Sequence, residues 1–306
     1  MRDVARRRAT MPDFLVIGAA KSGTTSLYHY LNQHPDVFMS PVKEPKFFAL
    51  EGESPSFRGP GDGEADAVTT LEGYQALFAG ASNESALGEA SPLYLYLEKA
   101  VSRIKHHVPE AKFIAVLRNP IERAYSSFLH KVRDGRETTG DFAEALALED
   151  ERIREGWAYG WHYKRRGFYH EQLSRYYEAF GEERIRVYLY EDLKGDPRAL
   201  LRDAYGFLGV DDAFAPNLSL KHNVSGVPKN RLVHSLLRGR NPVKTALKPL
   251  VPEGLRKKLL VDLQRRNLEK APPIPPQTRR ELVEEYREDV LKLQGLIGRD
   301  LSGWMR

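Results

Sequence analysis

Apolar positions in this chain fall into two alternating patterns. Runs such as Phe14-Leu-Val-Ile17 and Lys112-Phe-Ile-Ala-Val-Leu117 lack polar alternation, as strands buried on both faces of a parallel sheet do. Val37–Met39, Ser85–Ala90 and Arg184–Tyr190 read as further strands. Helical spacing takes over in between. Leu27, Tyr30 and Leu31 define a helix stopped at His34-Pro35, and Pro120 starts another at its N1 position. Helices are also expected over 71–78, from Gly167-Phe-Tyr169 to Phe180, over 197–209, and over 278–297 as a docked terminal element. The stretch from Phe142 to Glu155 reads as an acidic surface helix. Such alternation predicts an α/β fold with a central parallel sheet flanked by helices in three layers.

The connecting segments have their own composition. Residues 51–70, rich in Gly, Pro, Ser and acids, read as a mobile loop or gate. Residues 236–270 are basic and partly amphipathic, and a stiff Pro272-Pro-Ile-Pro-Pro276 linker follows. No internal repeat is evident.

With 306 residues, the chain suits one large domain with a short disordered leader over 1–12, a basic, Pro-rich elaboration over 236–276 and a C-terminal helix within 278–304. Its 41% hydrophobic and 29% charged residues are those of a soluble globular protein. The basic start has no apolar run behind it, and no apolar stretch approaches the roughly 20 residues that span a bilayer. The absence of cysteine excludes disulfides and thiolate chemistry and fits a cytoplasmic setting. The net charge of +5 is concentrated in the basic segment 236–270, which suits an anionic acceptor or peripheral contact with a membrane surface, a solvated face being the default. Nucleic acid is not expected as a partner.

The candidate chemistry begins at Gly18-Ala-Ala-Lys21-Ser-Gly23-Thr-Thr25-Ser26. Bare backbone, a lysine and three hydroxyls at a helix start form an anion site. A nucleoside-triphosphatase loop would place glycine before the lysine, whereas here Gly23 follows Lys21. Arg118 at a strand end and Ser126 two turns into the next helix can converge on a second anion. Glu44, between Lys43 and Lys46, is a candidate general base, and Glu89 at another strand end is held in reserve. Lys229-Asn-Arg231 could close over a phosphate. The residues Trp157–Arg166 read as packed surface, His29 and His34 as solvent-facing or capping, and His106-His107 as surface; no histidine cluster has metal-site spacing, and no metal is expected.

Three of these stretches occur in the order of one family: Lys21-Ser-Gly-Thr-Thr25, Glu44-Pro-Lys-Phe-Phe48, and Arg118-Asn-Pro with Ser126. The chain resembles sulfotransferases that use 3'-phosphoadenosine-5'-phosphosulfate (PAPS), in particular bacterial ones related to the heparan-sulfate branch. Gly167-Phe-Tyr169, Glu191-Asp-Leu193 with Pro197, and Gly298-Arg-Asp-Leu-Ser-Gly-Trp304 extend the likeness over most of the chain. The resemblance implies a P-loop-like core. Lys21, Ser22, Gly23, Thr24, Thr25 and Ser26 would hold the 5'-phosphosulfate, and Arg118 with Ser126 the 3'-phosphate. Lys229 and Arg231 would close on the donor. Glu44 would take a proton from an acceptor hydroxyl or amine on a carbohydrate, lipid or small metabolite, giving the desulfated product PAP without a metal. An ATP-dependent kinase and a non-enzymatic anion- or membrane-binding module remain the alternatives.

Overall fold

The computed structural model describes residues 11–61, 64–219, 227–228, 268–269 and 271–306. Strands β1 (Phe14–Gly18), β2 (Val37–Met39), β3 (Ala86–Ala90), β4 (Lys112–Leu117) and β5 (Ile185–Leu189) form one parallel sheet in the order β2-β3-β1-β4-β5. The chain therefore leaves the central strand β1 to build one side of the sheet and then crosses over to build the other. In such a sheet the crevice beyond the carboxyl ends of the central strands is where a ligand fits.

The apolar runs explain the layers. Along β1, Phe14 and Val16 point into one core and Leu15 and Ile17 into the other, and all are fully buried. Helix α1 (Thr24–Leu31) covers the first core with Leu27 and Leu31. The second core is aromatic: Phe47 and Phe48 on the short helix α2 (Phe47–Leu50) pack with Tyr74 and Tyr94, and Tyr176 stands on Phe113 of β4. Helices α3 (Pro120–Arg133), α4 (Tyr169–Phe180), α5 (Tyr190–Gly195), α6 (Pro197–Leu208) and α7 (Pro276–Ile297) flank the sheet, together with the helices Leu71–Ala76, Leu93–Tyr96 and Glu98–His107. This is the expected α/β, P-loop-like three-layer architecture.

Local readings shift where tertiary partners intervene. Residues 142–155 form two short helices, Phe142–Ala147 and Glu149–Arg154, rather than one acidic surface helix. Glu149 is fully buried because it accepts the backbone N–H groups of Lys164 and Arg165 at 2.5 and 2.9 Å, and buried Arg152 pairs with Glu137 at 2.5 Å. His34 is buried rather than solvent-facing: its Nδ1 accepts the Asp36 N–H at 3.0 Å, while its Nε2 lies 2.9 Å from the Asp211 carbonyl. His107 is half-buried against Glu51 at 2.7 Å, and Trp161 and Tyr163 are core residues.

The segment 51–70 is tied down through its described residues. Glu53 meets Lys99 and Arg103 at 2.7 and 2.8 Å, the Arg58 N–H donates to the Gly156 carbonyl at 2.9 Å, and the Val68 N–H to that of Pro45 at 2.9 Å. Residues 1–10 of the expected leader, Lys229, Arg231 and nearly all of the basic segment 236–270 lie outside the described residues. Among the described residues no helix is long and apolar enough to cross a membrane.

Candidate functional site

The first anion loop follows β1. The Ala19 N–H donates to the Val116 carbonyl of β4 at 2.7 Å and the Ser22 N–H folds back to the Ala19 carbonyl at 3.2 Å, so the loop turns tightly at the carboxyl end of the central strands. Lys21 (φ 69°) and Gly23 (φ 94°) both take left-handed backbone, and Gly23 is the N-cap of α1. No side chain caps that helix. Its first N–H groups thus keep their donor capacity, beside the positive end of the helix dipole.

A Cβ at position 23 would lie 2.5 Å from Leu193 Cδ2, so glycine is favoured by its left-handed conformation and any side chain there would have to displace Leu193. Ser22 Oγ is buried without a hydrogen-bond partner among the described residues. Thr24 is buried, whereas Thr25 and Ser26 are half-buried. Burial, reinforced by the charge of Arg133, lowers the Lys21 pKa to about 8.

The second candidate anion site lies at the end of β4. Arg118 donates through Nη1 to the Lys21 carbonyl at 3.2 Å, stands 4.9 Å over the Tyr190 ring, and lies 3.8 Å from Glu122. Its own carbonyl accepts the Tyr169 hydroxyl at 3.0 Å. Asn119 caps α3 by accepting the N–H groups of Ile121 and Glu122 at 2.9 and 3.3 Å, which fixes the strand-to-helix turn. Ser126 lies two turns further on and is half-buried.

The carboxylates come from the turn before α2 and from β3. Glu44 has φ 62° and its N–H donates to the Ala90 carbonyl at 3.0 Å, so the turn is docked on the end of β3. Its side chain is 40% exposed and pairs with Lys43, leaving it reachable. Lys46 is buried and bridges to Glu64 and Asp66 at 2.7 and 2.6 Å, while its N–H donates to Ser91 Oγ at 3.0 Å. Glu89 has no exposed surface. It accepts the Tyr74 hydroxyl at 3.3 Å through Oε1, with Tyr94 and Ser91 also beside the carboxylate, and burial pushes its pKa up to about 7.

The sheet brings Lys21, Glu44 and Arg118 close enough for the last two to act on the lysine's charge, and Glu44 acts on Glu89 in the same way. Lys229 and Arg231 lie outside the described residues. Missing from the sequence reading is the far end of α3. His130 stands near Lys21 and 3.6 Å from Asp134, with its pKa lowered to about 4 by burial and then by Lys21. The spacing Ser126, His130, Asp134 along one helix face was the available signal. One residue on, Lys131 sits 3.6 Å over the Trp161 ring, and burial lowers its pKa to about 8.

Residues 12–214 match the model of the sulfotransferase family. A sulfotransferase structure from Alicyclobacillus acidocaldarius is 35% identical, covers 97% of this chain and 99% of its own, and superposes with a TM-score of 0.76. The bifunctional heparan sulfate N-deacetylase/N-sulfotransferase 4 of Mus musculus is 27% identical over 327 residues, spanning 100% of this chain and 33% of that protein. The Homo sapiens enzyme 3 of that series is 29% identical over 216 residues, 68% of this chain and 24% of its own length. The chain thus spans a third or less of these curated relatives. With the family match extending from β1 through α6 and the bacterial structure matched along nearly its whole length, the chain belongs to the sulfotransferase family and is an enzyme of sulfuryl transfer.

Proposed function

We propose that the enzyme uses PAPS as its donor and sulfates a hydroxyl or amine of a carbohydrate, lipid or small metabolite. The observation that carries this reading is the uncapped N-terminus of α1, with Lys21 and the buried Ser22 hydroxyl, joined directly to Arg118. One anion site would bind a phosphate; two of them linked by a hydrogen bond suit a nucleotide phosphorylated at both ends.

The donor set fits the group. Lys21 to Ser26 would hold the 5'-phosphosulfate, Arg118 and Ser126 the 3'-phosphate, and Lys229 with Arg231 would close over them. PAPS supplies an activated sulfuryl group whose bond to the 5'-phosphate is weak. Lys21 and the helix N–H groups would neutralise charge gathering on the departing phosphate oxygen, a role of fixed donors that needs little reorganisation. Glu44, exposed enough to meet an acceptor, would take the acceptor proton. Glu89 is enclosed and serves as the alternative base. The basic segment 236–270 would meet the acceptor or a membrane surface.

Calorimetry with PAP, 5'-AMP and ATP–magnesium tests the donor. Tight PAP binding with weak 5'-AMP binding is expected, and a preference for ATP–magnesium would overturn the reading in favour of a kinase. Glu44→Gln should abolish turnover while keeping PAP affinity.

A further inference from the structure

The C-terminal residues after α7 reach both flanks of Arg118. On one flank, Arg299 grips Asp192 with both terminal nitrogens, at 2.9 and 3.0 Å to the two carboxylate oxygens. Asp192 Oδ2 also accepts the Leu189 N–H at 2.8 Å, and this carboxylate therefore fixes the start of α5. Tyr190 is the first residue of that helix, and its ring supports the Arg118 guanidinium at 4.9 Å. Leu193 of the same helix is the side chain that leaves Gly23 no room for a Cβ.

On the other flank, the Trp304 carbonyl accepts Asn119 Nδ2 at 3.2 Å, and the Trp304 ring lies 6.3 Å from Tyr169, whose hydroxyl donates to the Arg118 carbonyl. The tail therefore bears on the cap that sets the Arg118 backbone and on the ring that sets its side chain.

We infer that Arg299 is a positioning residue for the 3'-phosphate: through Asp192 it locks α5, so that Tyr190 holds the Arg118 guanidinium in its binding orientation. Arg118 already spends Nη1 on the Lys21 carbonyl and its Nη2 lies 3.8 Å from Glu122, so the guanidinium can present its remaining donor capacity to a phosphate only when its plane is fixed. A planar ring beneath the guanidinium supplies that constraint. Free rotation of α5 about its first residue would remove it. This inference rests on the reading of Arg118 as the 3'-phosphate ligand.

The charges of the pair separate positioning from simple attraction. Arg299→Ala removes a positive charge and Asp192→Asn a negative one, so a long-range effect on an anion would move PAP affinity in opposite directions. Positioning predicts the same direction for both. PAP affinity should fall by about three- to tenfold in each variant, as expected for losing a half-exposed bidentate pair, with 5'-AMP affinity unchanged. The double variant should lose no more than either single one. Arg299→Lys, which keeps charge but not the fork, should fall in between and remains informative if the alanine variant fails to fold.

Calorimetric titration of PAP and 5'-AMP into the full-length protein decides the matter, with Arg118→Ala alongside. Loss of PAP preference in Arg118→Ala, Arg299→Ala and Asp192→Asn together supports the inference. Loss in Arg118→Ala alone, a rise in Asp192→Asn, or an equal fall for both nucleotides overturns it while leaving the donor reading intact. Retained preference in Arg118→Ala would overturn the donor reading and the inference with it.

Discussion

Arg118 donates to the carbonyl oxygen of Lys21, a residue 97 positions earlier in the chain, and so ties the end of β4 to the loop after β1. The two candidate anion sites are therefore mechanically linked. Replacing Arg118 by lysine keeps the charge, but an ammonium cannot hold the loop carbonyl and present a second planar face. Arg118→Lys should weaken PAP binding by about tenfold, near 1.4 kcal/mol, with a smaller effect on 5'-AMP. Titrations at two salt concentrations check this, and an unchanged PAP affinity would show that charge alone suffices.

The Lys21 charge itself is pH-sensitive. Burial lowers its pKa to about 8 from the ordinary lysine value of 10.5, so the free protein has lost half of the ammonium near pH 8. An anion bound there stabilises the charged form, and binding above that pH must take up a proton. PAP affinity should fall as pH rises from 8 towards 10, approaching about one decade per pH unit. The fall should be absent in Lys21→Arg, which stays charged. If the arginine variant declines equally, another group is responsible.

Gly23 combines two constraints that can be separated. Its φ is +94° and a Cβ would meet Leu193 at 2.5 Å, whereas Gly135 has φ +67° with nothing within 4 Å. Gly135→Ala should cost about 1 kcal/mol from backbone strain alone. Gly23→Ala should cost about 1–3 kcal/mol more and displace α5, because a methyl has no space in that contact. Urea unfolding of both variants measures the difference. Equal costs would mean that Leu193 yields freely.

Features written in consecutive residues were legible in the sequence. The unbroken apolar runs located β1 and β4, Asn119-Pro120 announced the start of α3, and the order of lysine and glycine separated the first loop from a nucleoside-triphosphatase. The sequence placed Glu44 and Arg118 as candidates but could not say that both would act on Lys21. That depends on strand order. Burial of charged groups was equally hidden: Lys46 goes inward because Glu64 and Asp66 meet it, and Glu149 because two backbone N–H groups do. Composition reads such residues as surface. His130 was given no role because the spacing Ser126, His130, Asp134 marks one helix face but gains chemical meaning only when the Lys21 loop is seen beside it.

Glu89 offers the sharpest separation of structure from catalysis. Enclosed on β3 among Tyr74 and Tyr94, with the Glu44 charge nearby, it has its pKa raised to about 7 from the ordinary carboxyl value of 4.5, chiefly by burial. A raised carboxyl pKa means that the folded protein holds a proton the unfolded chain has already released. Its stability contribution is complete below pH 4.5 and is lost as pH rises through 7. Glu89→Gln removes this titration. The stability of the variant relative to wild type should therefore rise between pH 4.5 and 7 and level off above, by on the order of 3 kcal/mol. Asp289, raised to about 6 by burial, titrates in the same window in both proteins and cancels from the difference. Denaturant unfolding across pH 4–8 measures the stability, and turnover of the same variant separates the roles. Retained turnover in Glu89→Gln, with loss in Glu44→Gln, leaves Glu44 as the base. The reverse pattern would move the proton transfer to the buried carboxyl and require the turn carrying Glu44 to open before the acceptor could reach it.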